Sequence, residues 1–267
     1  MPPEKDIPAK ARRRRPVRSA LIAAAVLVAF VAALFFPPLD RALGGLFAHS
    51  QDGATIADYP HWLRDEALKH HRGYADYAQI PQCLDHAIMS VEDKRFLYHG
   101  GVDPLAAARA LVEDAQNDHV DHGGSTITLQ LARMMLHVPR RQPSAWAELT
   151  SQLRVMRGAL IVEHDFSKQR ILELYLNGVY LGRRAIGVTA AAQAYFHTPL
   201  SQVSDAQCIY MAGLPNDPTR FGANPSGDLA MARYHHVVAT MQRNGYLTSE
   251  QAVALDDQPL FSQLSEN

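Results

Sequence analysis

The chain has 267 residues, of which 47% are hydrophobic and 20% are charged, and its formal net charge is −1. This length is sufficient to bury a hydrophobic core and is compatible with one or two domains. Residues 1–18 hold seven basic and two acidic side chains, a net charge of +5, so the remaining residues carry −6. A mildly acidic chain of this kind excludes an extensive basic surface, and we expect no nucleic-acid partner.

The first predicted element is a membrane anchor at residues 19–36. This run contains no charged residue and ends before Pro37 and Pro38. At roughly 1.5 Å per residue, a helix over it would be about 27 Å long, close to the hydrocarbon thickness of a bilayer. A cleaved signal peptide is the alternative, although no small-residue cleavage site follows. The basic tail at 1–18 predicts a cytoplasmic N-terminus, which places residues 37–267 on the outer, extracytoplasmic side of the membrane.

After the anchor, residues 37–80 show no clear periodicity, but helical spacing of apolar residues dominates from there on. Asp103 followed by Pro104 has the pattern of an N-cap and a first helical residue, which predicts a helix to about residue 114. Strand patterns are few and no interdomain linker occurs, so we predict one mostly α-helical domain. Further predicted helices cover residues 84–91, 127–137, 146–160, 168–181, 187–196, 205–214, 229–243 and 249–255.

Two adjacent carboxylates, Glu92 and Asp93, follow an apolar helix face that includes Ile88. Negative charge at the C-terminal end of a helix opposes the helix dipole, so this position costs stability. The dipole and partial burial both raise the pKa of a carboxyl group there, which suits a general base. The spacing alone favours the simpler alternative, a solvated acidic pair on the surface.

A second cluster of polar groups lies at residues 123–130, with the sequence GGSTITLQ. Glycines let the backbone approach a ligand closely, and the N-terminus of a helix offers free N–H groups to an anion. The serine, threonine and glutamine side chains add further donors. A plain glycine turn with a serine cap is the alternative that the sequence leaves open.

Together these two segments resemble the first two motifs of the family 51 glycosyltransferase domain, which polymerises peptidoglycan in bifunctional penicillin-binding proteins and in single-domain transglycosylases. The first motif, E-D-x-x-F-x-x-H-x-G, matches residues 92–101, and the second, G-G-S-T-I-T-Q-Q, departs only at Leu129. The resemblance runs from about residue 80 to 245 and implies a mostly helical, lysozyme-like fold. Later blocks that are similar to the family lie at residues 168–177, 190–196 and 212–218.

The resemblance implies that the chain joins lipid II to a growing lipid-linked glycan, with inversion at the donor anomeric carbon. Glu92 would be the base that deprotonates the attacking hydroxyl of lipid II. The resemblance further implies the inner membrane and other cell-wall synthesis proteins as partners, and it allows a divalent cation, Mg²⁺, to assist departure of the pyrophosphate. The residues that would bind substrate are Asp93, Phe96, His99, Gly123, Gly124, Ser125, Thr126, Thr128, Gln130, Arg133, Arg141 and Arg154.

The third motif of the family, R-K-x-x-E, is not kept. Its positions fall on Ser151, Gln152 and Val155, so the second catalytic carboxylate of the family has no counterpart there. Glu148, two helical turns earlier and about 10 Å away, is the candidate replacement. Activity is therefore in question, and the alternative function is that of a catalytically impaired member that binds lipid II or a cell-wall synthesis partner.

The two cysteines, Cys83 and Cys208, form either a disulfide on the exported side of the membrane or two buried thiols, and the sequence leaves both open. The 13 histidines show no paired spacing typical of zinc ligands, so we expect no structural metal site. No Ser-x-x-Lys sequence occurs, which excludes the serine acyl transfer of penicillin-binding transpeptidases from this sequence.

Overall fold

The computed structural model describes residues 50–106 and 125–256. The basic tail at 1–18, the predicted anchor at 19–36 and the glycines at 123–124 lie outside the described residues. Within the described part, α-helices account for nearly all regular structure, and strand pairing is limited to an antiparallel bridge between Tyr180 and Ile186. The prediction of a mostly α-helical domain is confirmed. None of the described helices is both long enough and apolar enough to cross a membrane.

The helices are labelled in chain order, and short 3₁₀ turns connect several of them. The α-helices are α1 (Ser50–Lys69), α2 (Gln82–Glu92), α3 (Ile127–Met135), α4 (Ala145–Asp165), α5 (Lys168–Gly178), α6 (Val188–Phe196), α7 (Asp205–Gly213), α8 (Pro218–Ala223), α9 (Asp228–Arg243) and α10 (Ser249–Asp256). The 3₁₀ turns are Tyr77–Gln79, Phe96–Tyr98, Leu200–Gln202 and Leu214–Asn216. Residues 104–106 are also helical, directly after the predicted cap at Asp103.

Side-chain caps determine where several helices begin. Thr126, Ser144, Ser167 and Ser204 each precede a helix, and each side-chain oxygen accepts a hydrogen bond from a backbone N–H in the first turn. Such caps satisfy N–H groups that have no partner inside the helix. The predicted helix starts from residue 127 onwards therefore agree with the structure to within a residue, although the cap of α3 is Thr126 rather than Ser125.

The sequence pattern gives no indication of α1, which lies in the unassigned stretch 37–80. Pro60 stands inside this helix, and proline removes a backbone donor and usually ends or kinks a helix. Ile56, Tyr59 and Leu63 nevertheless lie on one helical face and are buried in the core. Tertiary packing of this face outweighs the local cost of the proline, since packing supplies most helical stability in proteins.

The helices form two groups that share one hydrophobic core. In the first group, α2, α7 and α9 contact one another. In the second, α3, α4 and α5 pack together and α1 lies against all three. Helix α6 contacts α5 in one group and α7 in the other. The C-terminal end of α2 reaches α3 at the junction between the groups, through hydrogen bonds of Glu92 and Asp93.

A disulfide between Cys83 and Cys208 joins α2 to α7, with the two Cα atoms 5.9 Å apart. The sequence left this pairing open, and the structure brings the two residues together because α2 and α7 pack directly on each other. The two cysteines are 125 residues apart in the sequence. A bond that closes so long a loop removes conformational freedom from the unfolded chain and thereby stabilises the folded one.

The Cys83→Ala/Cys208→Ala double variant should lose about 2–5 kcal/mol of free energy of unfolding, because its unfolded chain is no longer cross-linked. Urea unfolding followed by circular dichroism measures this loss. The matched control is wild-type protein in a reducing agent, which should unfold near the urea concentration of the double variant. A wild-type midpoint that the reducing agent leaves unchanged would show that the two thiols are not bonded.

Lys168, the first residue of α5, holds the loop that follows α2. Its Nζ atom donates to the carbonyl oxygen of His99 and forms an ion pair with Glu163, both at 2.7 Å. The same ammonium lies 4.4 Å from the centre of the Phe96 ring, a cation–π contact. At the end of the loop, Gly101 has a φ of +89°, and a Cβ there would lie 2.9 Å from a backbone carbonyl oxygen of α4. Only glycine lets the loop pack this closely.

Lys168→Met should loosen this loop while the helices remain folded, because methionine keeps the length of the side chain and loses its charge. Hydrogen bonds to charged groups contribute roughly 1.5–3 kcal/mol, so we expect amide hydrogen exchange over residues 94–101 to become about tenfold faster or more. The matched control is Lys69→Met at the exposed end of α1, which should leave this exchange unchanged. Equal protection in both variants would contradict the anchoring role of Lys168.

Candidate active site

Side chains from three other helices surround Glu92, the last residue of α2. Its Oε2 atom accepts a hydrogen bond of 2.7 Å from Nε2 of Gln130 in α3, and its Oε1 atom lies 3.9 Å from Nη2 of Arg233 in α9. The hydroxyl of Tyr175 in α5 donates to Oε1 of Gln130 at 3.1 Å. The Glu92 side chain is only 11% exposed, so the structure does not show the solvated acidic pair that spacing alone favoured.

Burial raises the pKa of Glu92 above the ordinary value of 4.5, and it is the largest influence on this carboxyl group. The hydrogen bond from Gln130 acts in the opposite direction, as do the charges of Arg233 and Arg140. These three contributions oppose the effect of burial, whereas the charge of the neighbouring Asp93 adds to it. A carboxylate with a raised pKa accepts a proton more readily than an exposed glutamate, as a general base near neutral pH requires.

Asp93, directly after α2, makes a different set of contacts. Nε2 of His99 lies 3.0 and 2.8 Å from its two carboxylate oxygens, and Oδ2 accepts the backbone N–H of Ile127 at 3.2 Å. The side chains of Asp93 and His99 are each 3% exposed. This pair joins the end of α2 to the start of α3. In the structure both side chains hold protein elements together, and their contact with substrate stays a prediction.

Three more of the predicted substrate ligands are buried in the scaffold. Phe96 is 1% exposed, Thr126 is 2% exposed and Thr128 is fully buried. The hydroxyl of Thr126 donates to the carbonyl oxygen of Gly101 at 2.5 Å, and that of Thr128 donates to Glu163 at 2.6 Å. Their polar or aromatic groups are engaged inside the protein, and direct contact of these three residues with substrate stays a prediction.

The first turn of α3 offers an anion fewer free N–H groups than the sequence suggested. The N–H of Ile127 is bonded to Asp93, and that of Leu129 is bonded to Thr126. Ser125 is exposed just before this turn, whereas Gly123 and Gly124 lie outside the described residues. Arginine side chains near Glu92 are therefore the stronger source of positive charge for an anionic substrate.

Arg133, in the last turn of α3, is held from two sides. Its Nη1 atom donates to the carbonyl oxygen of Pro139 at 3.2 Å, and its Nη2 atom donates to Oε1 of Gln152 at 3.0 Å. Gln152 in turn donates from Nε2 to Glu148 at 2.7 Å. Burial lowers the pKa of Arg133, and the charge of Glu148 acts against that shift. Glu148 thus acts on Arg133 both electrostatically and through Gln152.

The remaining predicted site residues of α4 and its preceding loop lie elsewhere. Val155 is 1% exposed and belongs to the main core. Arg154 forms a forked ion pair with Asp52 of α1, with N–O distances of 2.6–3.2 Å. This pair links two helices, and the predicted phosphate contact of Arg154 stays a prediction. Arg141 is exposed in the loop between α3 and α4, and its role stays a prediction.

Sequence reasoning missed Tyr175 as a neighbour of Gln130 and Arg233 as a neighbour of Glu92. Tyr175 lies within the block that resembles a later family motif, so its position carried a signal; Arg233 lies on a helix whose sequence gives none. Among residues 50–106 and 125–256, no group of three or more His, Cys, Asp or Glu side chains comes together as a metal site. A divalent cation that assists departure of the pyrophosphate, which the resemblance allows, stays a prediction.

Comparison with known proteins places this geometry in a family context. The profile of the Transglycosylase family matches residues 61–242. Penicillin-binding protein 1A of Escherichia coli (strain K12) is 37% identical over 203 residues, which cover 76% of this chain and 22% of that protein. The proteins of the same name from Pseudomonas aeruginosa and Aquifex aeolicus (strain VF5) are 31% and 34% identical, covering 80% and 71% of this chain and 24% and 25% of their own length.

The chain spans about a quarter of the length of these curated relatives. The match to the family profile covers well over half of the chain and includes Glu92, Gln130 and Arg133. The two motifs at residues 92–101 and 123–130 therefore lie inside the matched region. On this evidence the chain belongs to the transglycosylase family.

Proposed function

We propose that this chain is a peptidoglycan glycosyltransferase that polymerises lipid II into glycan strands, with inversion at the donor anomeric carbon. The observation that carries the proposal is the buried carboxylate of Glu92, oriented by Gln130 and close to Arg233. Membership of the transglycosylase family supports the same class of reaction. A lysozyme-like arrangement of the helices is part of this proposal.

In the proposed reaction, Glu92 accepts the proton of the acceptor hydroxyl of lipid II. The hydroxyl oxygen attacks the anomeric carbon of the lipid-linked glycan from the face opposite the pyrophosphate. A new carbon–oxygen bond forms, the bond from carbon to pyrophosphate oxygen breaks, and its electron pair leaves with the pyrophosphate. The hydrogen bond from Gln130 fixes the orientation of the Glu92 carboxylate, as efficient proton transfer requires.

We assign the departing pyrophosphate to Arg133. Arginine stays charged at all relevant pH values and can bind a phosphate group through two parallel N–H bonds. Gln152 fixes one terminal nitrogen of Arg133, and Glu148 fixes Gln152. In this proposal Glu148 is therefore a positioning residue for Arg133, and it does not replace the second catalytic carboxylate of the family.

The proposal includes a location in the inner membrane, with residues 19–36 as a single anchor, the N-terminus in the cytoplasm and the catalytic domain in the periplasm. The uncharged run and the basic tail before it support this topology. An anchored enzyme and a lipid-linked substrate diffuse in the same plane. Lipid II, lipid-linked glycan and other cell-wall synthesis proteins are the proposed partners.

One observation favours a second function, that of a catalytically impaired member that binds lipid II or a cell-wall synthesis partner. At the third family motif, the position of the second carboxylate is Val155, which is buried in the apolar core. A valine there neither assists the leaving group nor binds a cation. A protein with this altered motif would then bind lipid II or a partner without synthesising glycan.

Glu92→Gln should lower the rate of polymerisation of labelled lipid II by the full-length protein about 10²- to 10⁴-fold, because the variant lacks the general base. Glutamine keeps the size of the side chain and can still accept the hydrogen bond from Gln130, so we expect lipid II binding to survive. The matched control is Asp65→Asn on the exposed face of α1, which should keep the wild-type rate.

Polymerisation by Glu92→Gln at the wild-type rate would remove Glu92 from the mechanism. If the wild-type protein binds lipid II but makes no glycan under any condition that supports a family member tested in parallel, the binding function becomes the better one. The two assays, synthesis and binding, therefore separate the two candidate functions.

A further inference from the structure

A tight turn at residues 182–185 reverses the chain within the antiparallel bridge described above. The backbone N–H of Ala185 donates to the carbonyl oxygen of Gly182 at 2.7 Å, so Arg183 and Arg184 are the two central residues of the turn. Both arginines are exposed. The turn lies between α5 and α6, and the proposed proton transfer uses neither of its arginines.

The two central residues both adopt a left-handed backbone conformation, with φ of +46° at Arg183 and +61° at Arg184. A two-residue hairpin turn with positive φ at both positions strongly favours Asn-Gly, Asp-Gly or Gly-Gly, because most side chains are strained there. Two arginines are thus an unfavourable choice for the turn itself. Strain of this kind persists where the surrounding structure enforces it, and it is concentrated at functional sites.

The surrounding structure fixes the turn from two sides. The hydroxyl of Tyr195 in α6 donates to the carbonyl oxygen of Leu181 at 2.8 Å. On the other side, Gly182 packs against the start of α8 so closely that a Cβ there would overlap the carbonyl oxygen of Pro218. The turn therefore presents its two arginines from a rigid base, which reduces the conformational entropy that is lost when a ligand binds.

Arg183 is held in a way that leaves part of its guanidinium group available. Its Nε atom donates to the carbonyl oxygen of Gly222 in α8 at 3.0 Å, and its guanidinium carbon lies 5.1 Å from the centre of the Tyr195 ring. The hydrogen bond to Gly222 engages Nε alone, so the two terminal nitrogens are the donors that remain for an anion. Two nitrogens of a guanidinium group can bind both oxygens of a carboxylate at once.

The surface around the turn has an excess of positive charge. Arg220 of α8 has a side chain that is 69% exposed, and its guanidinium lies 3.6 Å from the carboxylate of Asp217. Among residues 50–106 and 125–256, no carboxylate forms an ion pair with Arg183 or Arg184. Tyr180, at the base of the turn, is 44% exposed and adds a ring and a hydroxyl group. This combination favours an anionic ligand that also has apolar atoms.

We propose that this turn is a docking site for an acidic peptide segment of a protein partner, with its carboxylates bound by Arg183, Arg184 and Arg220. Binding to an anionic membrane surface typically takes a cluster of about four to eight basic residues, more than this surface provides. A peptide segment with two or three neighbouring carboxylates matches both the charge and the small size of the surface. The inference is independent of the proposed glycosyltransferase reaction, which uses none of these arginines.

The test uses a fluorescein-labelled hexaglutamate peptide, titrated with the full-length protein in nonionic detergent at low ionic strength. Fluorescence anisotropy measures the Kd of the peptide. Arg184→Gly removes one charge and supplies the residue that this position of the turn favours. The matched control is Lys69→Gln, which removes one charge from the exposed end of α1. Thermal unfolding of each protein is followed in parallel.

The wild-type protein should bind the peptide saturably, and added salt should weaken the binding, because the charges are exposed. Arg184→Gly should raise the Kd about tenfold or more, as expected for the loss of a charge-assisted contact. Its thermal midpoint should stay at or above that of the wild type, because glycine relieves the strain at a positive φ. Arg183→Gln should also raise the Kd about tenfold or more, and Lys69→Gln should leave it unchanged.

No saturable binding by the wild type, an unchanged Kd in Arg184→Gly, or an equal loss in Lys69→Gln would overturn the proposed site. A thermal midpoint that falls in Arg184→Gly would show that the arginine stabilises the turn, which contradicts the strain on which the proposal rests. Inorganic phosphate or short-chain phosphatidylglycerol that displaces the probe as effectively as unlabelled hexaglutamate would overturn the assignment to an acidic peptide.

Discussion

The carboxylate of Asp93 is the interaction on which the geometry of the site depends. It binds His99 in the loop after α2 and the first backbone N–H of α3, in a setting where the side chain is almost completely buried. A buried carboxylate must be fully paired to be tolerated, so the end of α2 and the start of α3 are held in one arrangement. That arrangement brings Glu92 into hydrogen-bond distance of Gln130.

Glu92 and Asp93 are adjacent in the sequence, but α2 ends between them, so their side chains make different contacts. Asp93 is paired with His99 and with the backbone of α3, whereas Glu92 accepts a hydrogen bond from Gln130 and lies 3.9 Å from Arg233. Burial raises the pKa of Glu92, and these polar neighbours limit the rise. Because opposing contributions set the pKa of Glu92, the loss of any one of them shifts that pKa. The helices that supply these groups must therefore keep their relative positions.

Much of this could be predicted from the sequence, for physical reasons that differ between elements. Caps such as Ser144 and Ser167 are local signals, so the starts of α4 and α5 are readable without the structure. Helix α1 could not be predicted from the sequence, because Pro60 disfavours a helix locally and tertiary packing stabilises it. The position of Glu92 at a helix end could also be predicted from local sequence. Its burial against Gln130 could not, because it depends on the packing of α2 against α3.

The buried residues of the motifs show what a motif match cannot distinguish by itself. Thr126, Thr128 and Phe96 match the family pattern, yet they are buried and bonded inside the protein. A match in a motif identifies a residue that the site requires, but it does not distinguish contact with a ligand from support of a neighbour. Arg233 gave no signal at all, because its approach to Glu92 depends on the packing of α9 against α2.

The most direct measurement of the central claim, that Glu92 is the base, is the pH dependence of kcat/KM for lipid II polymerisation, which reports the pKa of the essential base in the free enzyme. Activity requires ionised Glu92, so in wild-type protein the acidic limb should inflect above 4.5, the ordinary pKa of glutamate. Gln130→Leu removes the hydrogen bond that lowers this pKa, so it should move the inflection to higher pH. An inflection at or below 4.5, or one that Gln130→Leu leaves in place, would contradict Glu92 as the base.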